Sequence, residues 1–245
     1  MKFCSYWTSE IDKSLEKKIM SCFDKTFNLN SSKKYFSWKY RENPFGDSLH
    51  VIAINKNKVV ATRAFWRLDI NKTNAYQCVD TAVLSNYQKK GIFKKTALIA
   101  TKILKEKLIY NSPNKKSAPA YLKCGWKKII NSNLTKINLT RFMLKSSPTI
   151  KWSAEKLHWR FKKNPTQKYY SMQKGKNYYI FRKIRKNFFL LVGRTNINLN
   201  LTVINPAICF SYDYDCNGLP IRFRESWMYK SKLSYKFNSY LFDET

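Results

Sequence analysis

Residues 76–110 restrict the chain to few architectures. The run Tyr76-Gln77-Cys78-Val79-Asp80-Thr81-Ala82-Val83 reads as a strand. It passes through Leu84-Ser85-Asn86-Tyr87-Gln88-Lys89-Lys90-Gly91 directly into a helical pattern, and a short strand, Leu108-Ile109-Tyr110, follows. A strand, a loop, a helix and a second strand require a crossover that brings the second strand back parallel to the first. Upstream, the β-rich runs 51–54 and 59–66 flank Asn55-Lys56-Asn57-Lys58, the composition of a tight antiparallel turn. The expectation is an α+β chain whose mixed sheet is mostly antiparallel and holds one parallel pair.

Helical spacing supports this. Ile11, Leu15, Ile19, Cys22 and Phe23 recur on one face after Ser9-Glu10-Ile11-Asp12, which has the form of a capping box. Beyond Gly91 two interleaved stripes, Ile92, Thr96, Ile99, Ile103 and Phe93, Ala97, Ala100, Leu104, predict a well-buried helix. A second short helix over 118–123 ends at Gly125. The order is helix, three antiparallel strands, helix, strand, helix, strand.

The second half is strand-rich over 178–184, 188–192, 207–212 and 221–229, yet it opens on an echo of the first. Trp38-Lys39-Tyr40-Arg41-Glu42-Asn43-Pro44 aligns with Trp159-Arg160-Phe161-Lys162-Lys163-Asn164-Pro165 at a constant offset of 121 residues. The shared pattern is Trp, base, aromatic, base, any, Asn, Pro, which points to a tandem duplication. The turn-rich Ser146-Ser147-Pro148 sets the expected boundary: residues 1–147 as one domain, 148–245 as a degenerate second copy that shapes the acceptor side. No base-base-Gly loop opens a helix in the second copy.

Charge is the outstanding compositional feature. There are 47 lysines and arginines against 15 acids, a formal net charge of +32. A bias towards Lys, Asn, Ile, Tyr and Phe accounts for part of it; attraction to a polyanion such as a nucleotide, nucleic acid, an anionic glycan or a membrane surface is the functional reading. The longest apolar run, Phe188-Phe189-Leu190-Leu191-Val192, falls far short of a membrane span of roughly 20 residues, and the N-terminus has no signal-like apolar core. The six cysteines form no Cys-x-x-Cys pair, so free thiols, no structural metal and a cytoplasmic setting are expected.

The chemistry concentrates at Gly91. The first amides of a helix lack intrahelical partners, and the aligned peptide dipoles add about half a positive charge there. Such an end binds phosphate, a glycine lets the ligand approach the backbone, and Lys89, Lys90, Lys94 and Lys95 supply counter-charge. Neither the three-glycine dinucleotide fingerprint nor a loop ending Gly-Lys-Ser/Thr is present.

Asp80-Thr81-Ala82-Val83, the loop Tyr87-Gln88-Lys89-Lys90-Gly91-Ile92-Phe93, and the later Asn114, Tyr121, Gly125 and Trp126 together resemble the GNAT superfamily of acyl-CoA-dependent N-acyltransferases, over roughly residues 1–145. The family's pyrophosphate loop reads Gln/Arg-x-x-Gly-x-Gly/Ala; Gln88 and Gly91 match, and Phe93 stands where Gly or Ala is usual. The resemblance implies a GNAT-like fold followed by a strand-rich degenerate GNAT-like half. It implies acetyl-CoA or another acyl-CoA as co-substrate and a small primary amine as acceptor, an amino sugar or nucleotide-linked amino sugar being the expected class. The backbone of Ala82, Val83 and Leu84 would hold the pantetheine arm, and Gln88, Lys89, Lys90, Gly91, Ile92, Phe93 and Lys94 the pyrophosphate, with Asn114 and Ser117 beside the coenzyme. Tyr121 matches the family tyrosine that protonates the departing thiolate.

Asp80 is the candidate base or relay, weighed against a carboxylate that orders the loop. Trp38, Glu42 and Asp213 are candidates for the acceptor side; His50 and His158 are read chiefly as caps or packing groups. The rival reading is a non-catalytic basic GNAT-like module that binds nucleic acid or another polyanion through its basic and aromatic residues.

Overall fold

A computed structural model of the chain describes residues 1–31, 33–70, 73–114, 116–137, 150–206, 208–213 and 220–230. The chain divides into two units. The first holds Met1–Ile129 and the end of the last strand from Trp227; the second holds Ile130–Ser226. The boundary expected near Pro148 lies outside the described residues. Among the described residues no helix is long and apolar enough to cross a membrane.

In the first unit the sheet runs β1 (Lys2–Trp7), β2 (Leu49–Asn55), β3 (Lys58–Arg67) and β4 (Ala75–Val83), all antiparallel, then β5 (Leu108–Asn111) parallel to β4. Met228–Lys230 of the last strand adds antiparallel to β5. Lys56 and Asn57 are both left-handed, the backbone signature of a two-residue hairpin turn that follows the twist of its strands. β1 escapes the sequence reading because Lys2 to Trp7 has no clear apolar alternation; its pairing with β2 defines it.

Leu49 to Ala53 and Val59 to Phe65 are continuously buried, so both faces of these strands are covered. α1 (Lys13–Phe27) packs on β3 and β4, and α3 (Ile92–Leu104) on β2. Asp12 caps α1 by accepting the Leu15 amide. Ser9, expected as that cap, instead donates to Asp47, because the chain from Thr8 to Glu10 makes its own 3-10 turn first. α4 (Ala118–Lys123) closes on left-handed Gly125, with the Trp126 amide returning to the Tyr121 carbonyl. One core cluster joins Leu49, Val51, Phe65, Cys78, Ala97, Ala100, Leu104, Tyr121 and Trp126.

The second unit repeats the pairing pattern. β7 (Tyr169–Lys174), β8 (Asn177–Arg185) and β9 (Phe188–Thr195) are antiparallel, and β11 (Ile208–Asp213) is parallel to β9 as β5 is to β4. β6 (Lys127–Ile137) pairs antiparallel with β11, and β10 (Thr202–Val203) lies beside β7. Where α3 fills the crossover in the first unit, residues 196–206 contain no helix.

The echo is reproduced residue for residue. α2 (Lys33–Phe36) runs into a π-helical turn, Ser37–Arg41, and α5 (Ala154–Leu157) runs into another, His158–Lys162. The Glu42 amide bonds the Ser37 carbonyl and the Lys163 amide the His158 carbonyl; Asn43 accepts from the Phe45 amide and Asn164 from the Thr166 amide. Trp38 and Tyr40 are buried in one copy, Trp159 and Phe161 in the other. The second unit repeats the strand pairing and the turn of the first, and the chain is α+β with mixed sheets.

Candidate acyl-transfer site

A cleft of about 720 Å³ opens in the first unit between β4, the start of α3, β5 and α4. Its origin is topological. β4 and β5 pair only through Ala75/Leu108, Tyr76/Ile109 and Gln77/Tyr110; β4 then continues to Val83 without its neighbour. A β-bulge drives them apart. Thr62 faces Ala82 and Ala64 faces Val79, so Asp80 and Thr81 oppose Arg63 alone, and Asp80 takes a left-handed backbone at φ 47°.

Buried partners hold that backbone. The Asp80 carboxylate accepts from Lys39 Nζ at 3.0 Å, from Tyr35 at 3.2 Å and from Tyr40. Lys39 is 3% exposed, with its ammonium over the rings of Tyr35, Tyr40 and Trp66. Burial alone would pull the ammonium below its usual range; Asp80 and Tyr35 overcome this and hold it higher. Burial, then Asp80, pushes the Tyr35 phenol up to about 12.

At the other end of the cleft the loop before α3 bends twice through left-handed residues, Lys89 at φ 61° and Gly91 at φ 72°. Among the described backbone hydrogen bonds none uses the amides of Lys89 to Lys94; the next, Lys95, bonds the Gly91 carbonyl. Apart from Gly91 and its two chain neighbours, no atom lies within 4 Å of where a Gly91 Cβ would sit. Ile92 anchors the helix start against Ala53, Val60 and Ala61. Unpaired amides at a helix start carry a partial positive charge that favours an anion.

Between the two ends stands Tyr121, 2% exposed, with Phe93 and Trp126 set edge-on to its ring at 5.1 and 4.8 Å. Its hydroxyl lies 3.2 Å from Cys78 Sγ. Burial first and Cys78 second push this phenol well above its ordinary value, against a smaller downward pull from Arg63. Asn114 orders the turn into α4 by accepting the amides of Lys116 and Ser117.

Of the residues singled out in the sequence, the cleft gathers Asp80, Val83, Gln88, Lys89, Gly91, Ile92, Phe93, Asn114, Ser117 and Tyr121. Ala82 is buried in the sheet, Lys90 and Lys94 are exposed beside the loop, the Leu84 amide is bonded to Val60, and the Gln88 side chain holds the Val83 carbonyl. Trp38 is not in the cleft; it packs on Trp66 and Tyr35 as a core anchor. Glu42 accepts from Ser37 at an exposed turn end. Asp213 lies on β11 opposite Asn133 in the second unit.

His50 is buried between Phe36 and Tyr40, bonded to Thr8, and burial lowers it to about 3. A histidine neutral when folded favours the unfolded state as pH falls below its unfolded value near 6.5. Between pH 7 and pH 5 this costs about 2 kcal/mol of stability. Urea unfolding at the two pH values should show that loss, and His50→Gln should flatten it; an equal slope in the variant would contradict the assignment.

The sequence reading missed Tyr35, Lys39, Tyr40, Arg63 and Cys78. One signal was present: a base at the second position of both echoes, which the structure buries in each copy, as Lys39 and Arg160.

No protein-family model matches the chain, and no curated protein matches it in sequence. Solved structures do match in fold. A GCN5-related N-acetyltransferase from Anabaena variabilis superposes with a TM-score of 0.62 at 12% identity, over 93% of this chain and 72% of that one. A protein of unknown function from Enterococcus faecalis, described as a probable N-acyltransferase, gives 0.60 at 12% identity over 94% and 73%. A GCN5-related N-acetyltransferase from Kribbella flavida gives 0.55 at 10% identity over 94% and 72%. The chain therefore has the GNAT fold, with the similarity running through both halves.

Proposed function

From the fold shared with GCN5-related N-acetyltransferases we propose that this chain is an acyl-CoA-dependent N-acyltransferase, moving an acetyl group to a primary amine. The observation that carries the reading is the wedge itself. β4 and β5 part after Gln77 and Tyr110, unpaired amides from Lys89 to Lys94 stand at one end, and Tyr121 lines it.

In this reading the α3 amides take the pyrophosphate and the split strands take the pantetheine arm. The amine attacks the thioester carbon, the C–S bond breaks, and Tyr121 gives its proton to the departing sulfur. An amine near pKa 10 enters mostly protonated. Asp80, with its carboxylate already accepting from three groups, serves here to fix the bulge, and water carries the ammonium proton away.

The acceptor is a singly charged amine, such as an amino sugar or a nucleotide-linked amino sugar. Asp80 is the one acid among the described residues lining the cleft, and Lys39 already neutralises it. A polycation would find no surplus negative charge there and a net charge of +32 around it.

Melting with acetyl-CoA tests the assignment. At about 100 times Kd the ligand should add about 2.7 kcal/mol, a shift of about 5–11 °C for a chain of this size. Gly91→Glu should abolish the shift, since it strains a left-handed position and brings a negative charge to the loop whose amides are unpaired. No shift with any acyl-CoA, or an equal shift in the variant, would sink the proposal.

A further inference from the structure

Arg63 sits on β3 opposite the β4 bulge and is fully buried. Its guanidinium lies 4.0 Å from the Phe93 ring centre and 5.5 Å from that of Tyr121. Nη1 approaches Cys78 Sγ at 3.8 Å, and that sulfur is 3.2 Å from the Tyr121 hydroxyl. Nε and Nη2 are buried without a hydrogen-bond partner. Among the described residues no carboxylate forms an ion pair with Arg63; Asp80, the acid across the bulge, is bound to Lys39.

A buried cation with open donor positions is costly unless an anion arrives. The ring faces of Phe93 and Tyr121 offset part of the cost through their quadrupoles. They also place the charge directly behind three groups that line the cleft: Phe93, Cys78 and Tyr121. Phe93, which departs from the family's small residue, is what covers the guanidinium.

We infer that Arg63 is a positioning residue for the leaving group: a fixed positive charge behind Tyr121 and Cys78 that stabilises the anion formed when the thioester C–S bond breaks. The inference rests on the acyltransferase reading above. The electron pair of the C–S bond goes to the coenzyme sulfur, and the Tyr121 proton follows it. The transient charge is thus either thiolate or phenolate. Both lie in the same buried spot, and one guanidinium serves both. The phenolate regains its proton from solvent as free coenzyme A leaves.

The groups around the guanidinium are Cys78 of β4, Phe93 of α3 and Tyr121 of α4. Lys89 and Lys116 line the cleft farther along, and Asp80 with Lys39 forms a neutral pair. A fixed cation within about 4–6 Å should therefore pull the thiol of bound coenzyme A below its free value by about 1–3 pH units.

The thiolate's ultraviolet absorbance reads this directly. Difference titration of the full chain loaded with coenzyme A against the chain loaded with desulfo-coenzyme A cancels the protein's own thiols. The native protein should show the lowered titration. Arg63→Met, which keeps length and packing but not charge, should move it up by a unit or more and lower kcat about 10²-fold or more, with acetyl-CoA affinity retained. Arg63→Lys should restore much of both.

A bound thiol that titrates at or above its free value in the native protein overturns the inference, whether or not the Met variant folds. An unchanged titration in a folded Met variant does the same. If coenzyme A fails to bind the native protein at all, the acyltransferase reading falls first and this role with it.

Discussion

Tyr121→Phe should lower kcat by about 10²–10⁴-fold, the usual contribution of a positioned proton donor, while acetyl-CoA binds as before. The substitution removes one oxygen and little else. The ring keeps its edge-on neighbours Phe93 and Trp126, and the hydroxyl's contacts with Cys78 Sγ and Thr81 are lost. Stability should change by less than about 1 kcal/mol, since neither partner is left with a strong unmet hydrogen bond. The raised phenol keeps its proton at neutral pH, so the proposed donor starts loaded. Steady-state kinetics with calorimetric acetyl-CoA binding separates the two effects. Turnover equal to the native value, with binding intact, would remove Tyr121 from the acid role.

What the sequence made legible was local. Gly91 announced itself because a glycine between a lysine pair and an apolar stripe marks a left-handed entry to a helix, and the backbone there is at φ 72°. The turn at Lys56 and Asn57 and the closure at Gly125 were readable for the same reason: each depends on a few neighbouring residues. Asp80 is the opposite case. Nothing near it in sequence signals a left-handed aspartate inside a strand; Tyr35, Lys39 and Tyr40, about 40 residues away, impose it. Arg63 lay in a largely apolar run, Val59 to Trp66, where a base has no local purpose; its meaning appears only when Phe93 and Tyr121 arrive from two helices.

The echo was legible as a pattern but not as a shape. Trp38 read as a residue facing an acceptor, whereas both tryptophans anchor identical π-helical turns in their cores. A recurring aromatic in a duplicated chain is selected by packing in both copies, so function cannot be assigned to it from one.

Lys39→Met should destabilise the protein by about 3–5 kcal/mol, the range for removing one partner of a buried ion pair. For a chain of this length that is a fall in Tm of about 6–20 °C. Methionine fills the volume among Tyr35, Tyr40 and Trp66, so the loss reports on charge: Asp80 would keep a half-buried carboxylate with only phenols to answer it. Asp80→Asn alone should destabilise as well, and the double variant should lose less than the sum, because each single change leaves the other charge stranded.

The alkaline limb gives an independent sign. A lysine held above its ordinary value contributes stability in full below about pH 10.4 and loses it as pH rises through the higher folded value. Tyr35 and Tyr40, also raised, weaken the fold over the same range, since their unfolded phenols ionise first. Native melts should therefore fall steeply above about pH 10, and the Met variant less steeply. Strict additivity in the double variant, or parallel alkaline limbs, would mean that Lys39 and Asp80 act separately. The bulge that opens the cleft would then owe its backbone to something other than their pairing.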